Sequence, residues 1–147
     1  GRDIMQIILP SILGYEVIAR DAVASLARRC GIAPERVEDV KTALCEACTN
    51  AIEHGNRSDP QRKVQVLCTV DERCLVIEVY DEGGSLPMLP RKPVQWTFEQ
   101  RASLRGMGLM LIVTLTDEVS VVADPNDGTC MRLVFYRNLA GDSVSAL

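Results

Sequence analysis

The segment Glu46-Ala-Cys-Thr-Asn50-Ala-Ile-Glu-His54-Gly55 sets a carboxylate and a carboxamide four residues apart. In a helix that spacing stacks both side chains on one side, within reach of one ligand, and Glu53 shares their face. An Asn oxygen is a hard donor suited to Mg2+, which takes few protein ligands and leaves its other positions to water and phosphate oxygens. A carboxylate one turn away can accept the proton of an attacking hydroxyl. Taken alone, the pair more commonly describes a solvated helix face. A second segment, Asp81-Glu-Gly83-Gly84, follows the apolar run that ends at Val79-Tyr80. A carboxylate there can accept a hydrogen bond from an exocyclic amine such as that of adenine, while Gly83 allows a tight turn beside it; a plain Asp-Glu-Gly-Gly turn is the common alternative. The third is Arg105-Gly106-Met-Gly108-Leu109, where glycines opening a helix let backbone N–H groups approach phosphates and Arg105 offers a charged contact. A lone G-x-G is weak evidence by itself.

The elements that must carry these residues follow from periodicity. Residues 4–9 read as a strand ended by Pro10. From residue 15 the apolar positions Ile18, Ala22, Leu26 and Cys30 recur at helical spacing, and Arg28 and Arg29 precede Gly31 as a basic last turn before a terminating glycine. A second helix opens at Ala33-Pro34-Glu35 and is expected to run unbroken to about Gly55, burying Val37, Val40, Leu44, Ala47, Cys48 and Ala51. The period then falls to 2: residues 63–70 and 74–80 form a hairpin across Asp71-Glu72-Arg73. Residues 83–105 read as a lid, residues 108–115 as an apolar helix, and residues 118–123 and 129–136 as a second hairpin across Asp124-Pro-Asn-Asp-Gly128. Residues 138–147 read as a frayed tail. Antiparallel hairpins with segregated helices predict an α+β, two-layer α/β sandwich, its mixed, mostly antiparallel sheet covered on one face by helices.

Bulk properties narrow the function classes. A chain of 147 residues, 47% apolar and 24% charged, fits one soluble domain with a core about 4–137 and needs no disulfide or metal staple. Its net charge is −4 and its 16 Lys and Arg are scattered, so the basic stripe of a nucleic-acid binder is missing. No run of about twenty apolar residues occurs, which excludes a spanning helix and makes the cytoplasm the default location. Of the six cysteines only Cys45 and Cys48 have C-x-x-C spacing, with no second pair to complete a zinc site, so all six are read as reduced thiols. The one histidine, His54, is read as capping or packing near its helix end.

The order of the segments says more than any one of them. A helical E-x-x-x-N-A-x-x-H-G, then D-x-G after a strand, then R-G-M-G-L-x-L-I, then Gly128-Thr129 opening the last strand resembles the GHKL superfamily of Bergerat-fold ATPases. Within it, the small size and the wording Glu-Ala-Cys-Thr-Asn-Ala-Ile-Glu-His-Gly resemble the anti-sigma factor serine kinases, across about residues 4–137. The resemblance implies ATP and Mg2+ as cofactors, Asn50 as the Mg2+ ligand, Glu46 as base toward a serine hydroxyl and Asp81 as the holder of adenine. Gly83, Gly106 and Gly108 would shape the pocket with Leu109, and Thr129 would support its adenine end. It further implies a homodimer that phosphorylates a STAS-type anti-anti-sigma protein and sequesters a sigma factor. A module that binds ATP and holds its partner without phosphorylating it is the alternative. The superfamily pattern D-x-G-x-G ends here in Ser85, a departure at the lid hinge.

Overall fold

The computed structural model describes residues 3–84, 89, 104–124 and 126–138, with the backbone alone at 104–106 and 124. Most of the stretch expected to form a lid, residues 85–88 and 90–103, lies outside the described residues, as does the tail 139–147; within the former, Leu89 packs against the core.

The element order is β1 (Asp3–Pro10), α1 (Glu16–Arg29), α2 (Pro34–Asn50), a π-helical turn (Ala51–Gly55), β2 (Lys63–Val70), β3 (Cys74–Asp81), α3 (Leu104–Leu115), β4 (Glu118–Asp124) and β5 (Gly128–Tyr136). The five strands form one sheet in the order β1-β2-β3-β5-β4. Every pairing is antiparallel, so the mixed character allowed for from sequence is absent among the described residues.

Local chemistry accounts for the elements. Pro34 takes the first position of α2, where a missing N–H costs nothing. Gly31 ends α1 at φ 85°, and the next amide, Ile32 N–H, reaches back to Ala27 O at 3.0 Å. Alternation along β2 and β3 sends Val64, Val66, Cys68 and Val70, then Leu75, Ile77 and Val79, to the core, where they meet Val23, Val40, Leu44 and Ile112 of the helices. All six positions expected to form the core stripe of the second helix are buried. The six cysteines are free; burial pushes the Cys68 thiol up to about 12 and raises that of Cys48 as well.

Two expectations about helix limits change. The second helix does not continue in α form to Gly55: after Asn50 the chain widens into a single π turn, and Asn56 N–H bonds Ala51 O at 2.8 Å. Such turns are frequent at functional sites. The third helix starts at Leu104 rather than 108, so Gly106 and Gly108 lie inside its first turns instead of preceding them. Its far end is pinned by Arg36, which donates to Leu115 O at 3.0 Å, pairs with Asp117 at 3.1 Å and lies over the Phe135 ring at 5.5 Å.

Candidate nucleotide site

The site is built at one end of the sheet, where α2 finishes, β3 finishes and β5 begins. It has two halves.

The first half is Glu46, Asn50 and Gly108. The helical spacing places Glu46 and Asn50 on the same side of α2, opposite the second turn of α3. A Cβ on Gly108 would lie 2.6 Å from Glu46 Oε2 and 3.9 Å from Asn50 Nδ2. Glycine therefore leaves room here for the carboxylate, and it does so from within the helix rather than from a turn before it. Burial raises the Glu46 carboxyl above its ordinary value, and the charge of Glu53 adds to the rise. Asn50 Nδ2 is buried with no hydrogen-bond partner among the described residues. An unsatisfied buried polar atom costs roughly 1–3 kcal/mol, so it marks a place where a ligand oxygen fits.

The second half surrounds Asp81, a buried carboxylate at the last position of β3. Its Oδ1 accepts Gly83 N–H at 2.8 Å. Desolvation raises its pKa, opposed by hydrogen bonds from the Gly83, Thr129 and Gly84 amides and the Thr129 hydroxyl. Thr129 is itself buried and sits opposite Asp81 in the β3–β5 register. Three glycines close around this carboxylate. A Cβ at Gly55 would overlap the Asp81 carboxylate, one at Gly83 would overlap Gly55 O, and one at Gly128 would overlap Asp81 O. Gly128 also holds φ 97°, a left-handed conformation that disfavours side chains. Backbone thus takes the space where side chains would stand, leaving the carboxylate anchored and desolvated.

Of the residues expected from sequence, Glu46, Asn50 and Gly108 converge in the first half, and Asp81, Gly83 and Thr129 in the second. Leu109 is buried in the hydrophobic core, committed to packing. Gly106 lies in the first turn of α3, and the Arg105 side chain lies outside the described residues. His54 does not pack at the helix end; it is exposed and lines an open cleft with Arg57, Asp59, Arg62 and Gly83.

Sequence reasoning misses two residues. It treats Gly55 as the end of a helix, although the contact with Asp81 is the tighter requirement. It assigns nothing to Asn56, yet that residue is fully buried and fully hydrogen-bonded between three segments. Its only signal in sequence is a polar residue after a helix-ending glycine, which describes many surface turns.

The arrangement suits Mg-ATP. A carboxamide and a raised carboxylate face one helix, and an anchored carboxylate stands where an amine can be read. Known proteins similar to this chain identify its family. The histidine kinase-like ATPase domain family matches residues 9–135. The chain is 31% identical to an anti-sigma F factor of Oceanobacillus iheyensis, covering 88% of this chain and 89% of that protein. It is 32% identical to the serine-protein kinase RsbW of Bacillus subtilis, covering 92% and 87%. A crystal structure of the RsbU and RsbW domains of a Mycobacterium tuberculosis protein shares the fold at a TM-score of 0.65 and 18% identity, over 92% of this chain and 33% of that longer one. Motif order and sheet topology agree with these matches, and the chain belongs to the histidine kinase-like ATPase domain family, in the branch of the anti-sigma factor serine kinases.

Proposed function

We propose that this chain is an ATP-dependent protein-serine kinase that also acts as an anti-sigma factor, phosphorylating a STAS-type anti-anti-sigma protein. The observation that carries the reading is the convergence on Gly108 of the raised Glu46 carboxyl and the Asn50 amide nitrogen, which is buried without a partner among the described residues. The names of the relatives, anti-sigma factor and serine-protein kinase, support it. Bound Mg-ATP supplies the transferable phosphoryl group and most of the charge neutralisation the reaction needs. Asn50 Oδ1 would hold the metal, and its Nδ2 would donate to a nucleotide oxygen. Glu46 takes the proton of the serine hydroxyl: partial burial makes it a better base than an exposed carboxylate. Asp81 accepts the adenine amine, held in place by Gly83 and Thr129. Phosphate contact by Arg105 belongs to the same proposal.

A homodimer is part of this reading. Ile4 and Ile8 are exposed on β1, an edge strand among the described residues, and Ile12, Leu13, Tyr15, Val17 and Ile18 are exposed in the segment that follows it. Exposed apolar side chains beside a sheet edge favour association. Among the described residues no helix is long and apolar enough to cross a membrane, in keeping with a cytoplasmic partner-switching role.

The test is transfer of labelled phosphate from ATP to a serine of a STAS-domain protein. Wild type is expected to transfer, and Glu46→Gln to transfer about 10²–10⁴-fold more slowly while still binding ATP. Equal rates in the two proteins would remove Glu46 as the base, and binding without transfer in the wild type would leave a sequestering module.

A further inference from the structure

The first and second halves of the site lie on different segments, which touch by backbone packing where Gly55 faces Asp81 and Gly83. Asn56 adds the side-chain hydrogen bonds that tie them together. It follows the π turn directly, so its backbone is continuous with the helix carrying Glu46 and Asn50. Its side chain is fully buried. Nδ2 donates to Ser11 Oγ at 2.9 Å and to Lys63 O at 3.1 Å, and Oδ1 accepts Glu82 N–H at 2.8 Å. Glu82 is the residue after Asp81, and its carboxylate in turn accepts Lys63 N–H. The three segments are thereby closed into a ring: the end of α2, the start of β2 and the turn that holds Asp81.

Only a short carboxamide meets these demands. The position needs two donors and one acceptor in a plane. Asp lacks the donors and would bury a charge, Leu has neither, and Gln carries the amide one methylene too far. A turn residue needed only for its backbone would not be buried with every polar atom in use.

We infer that Asn56 is a positioning residue that holds the Asp81–Glu82 peptide in register with the Glu46–Asn50 helix, and so sets the selectivity of the site for the adenine amine over the guanine carbonyl. The inference rests on the reading of Asp81 as the adenine contact. Loosening the ring lets Asp81 shift relative to the metal-binding half. Binding that depends on the triphosphate survives, while binding that depends on the base amine weakens.

The experiment is calorimetric titration of the full chain with Mg-ATP and with Mg-GTP, paired with hydrogen exchange at the Glu82 amide. Wild type is expected to prefer ATP and to exchange Glu82 slowly. Asn56→Ala is expected to lose about tenfold in ATP affinity with little change in GTP affinity, and to expose Glu82 to exchange. Ser11→Ala removes one acceptor and leaves the other two contacts, so it is expected to act in the same direction by about threefold. It also carries the test if Asn56→Ala does not fold. Wild-type preference retained in full by Asn56→Ala, or by Ser11→Ala where that variant alone folds, would overturn the role of Asn56 and leave the Asp81 reading standing. A wild type that binds both nucleotides equally would overturn the Asp81 reading and the selectivity role together, even with Glu82 slow to exchange.

Discussion

The two ends of the sheet solve the same problem in opposite ways. At the hairpin end, between β2 and β3, the chain closes its own polar groups. Asp71 Oδ1 accepts both Arg73 N–H and Cys74 N–H at 2.8 Å, and Arg137 donates to Cys30 O at 2.7 Å and to Asp71 O. At the site end, by contrast, an amide nitrogen is buried without a partner among the described residues, two carboxylates are partly stripped of water, and backbone is packed so tightly that glycine is demanded at Gly55, Gly83 and Gly128. The contrast separates stability from function within one fold. The hairpin end satisfies its own polar groups, and the site end, among the described residues, leaves a buried donor that an acceptor from outside them would satisfy.

If that contrast is right, Gly108→Ala should have the largest effect and should fall on activity rather than stability. The new methyl meets the free end of a flexible glutamate and sits mid-helix, where alanine is favoured, so the melting temperature should hold or rise. Displacing Glu46 by about 1 Å should still slow phosphate transfer roughly 100-fold. A parallel loss of stability and activity would mean that Gly108 is there for packing.

Next in size is the response to ligand. With Mg-ATP at a hundred times its dissociation constant the wild type should gain about 2.7 kcal/mol, several degrees in melting temperature, and Asp81→Asn should gain almost nothing. An undiminished shift in the variant would move the base contact elsewhere.

The two ends can then be compared directly through two left-handed glycines. Gly31 has φ 85°, and a methyl there would meet nothing nearer than Asn138 O at 3.6 Å, whereas Gly128 has φ 97° and would drive its methyl into Asp81 O. Gly31→Ala should cost about 1 kcal/mol and Gly128→Ala about 3 kcal/mol, a difference of about 6 °C by calorimetry. Similar losses would show that φ alone matters and that the close approach at Asp81 is relaxed.

The smallest expected effect is in the pH dependence of the ligand-free protein. The Glu46 carboxyl is raised in the folded state, so the native protein binds that proton more tightly than the unfolded chain. Its contribution to stability therefore falls as pH rises above the ordinary value of 4.5. Glu46→Gln should be slightly more stable than wild type near neutrality, with the gap closing below about pH 4. A gap that widened in acid would place Glu46 in a stabilising contact instead.

Much of this is legible in the chain, for identifiable reasons. The strands and both hairpins follow from alternation, a local property that the sheet only confirms. Glu46 and Asn50 can be paired because i,i+4 spacing fixes their side of the helix, whatever lies opposite. Asp81 and Thr129 stand out separately, and their register partnership needs β5 to pair with β3. The limits of α2 and α3 differ from the periodic pattern because helix ends depend on what packs against them. The π turn lets Gly55 meet Asp81 and brings Asn56 inward, while the lodging of Glu46 against α3 explains a glycine in mid-helix.

Sequence by itself determined which residues could do chemistry and which element most of them would occupy, since charge, hydrogen-bonding capacity and hydrophobic period are carried by the chain and act over a few residues. Tertiary structure alone decided the distances: that Gly108 yields to Glu46, that three glycines wall in Asp81, and that Asn56 ties Glu82 to the end of α2. Those contacts join segments at least 26 positions apart in the chain, and only the packing of helices on the sheet brings them within reach.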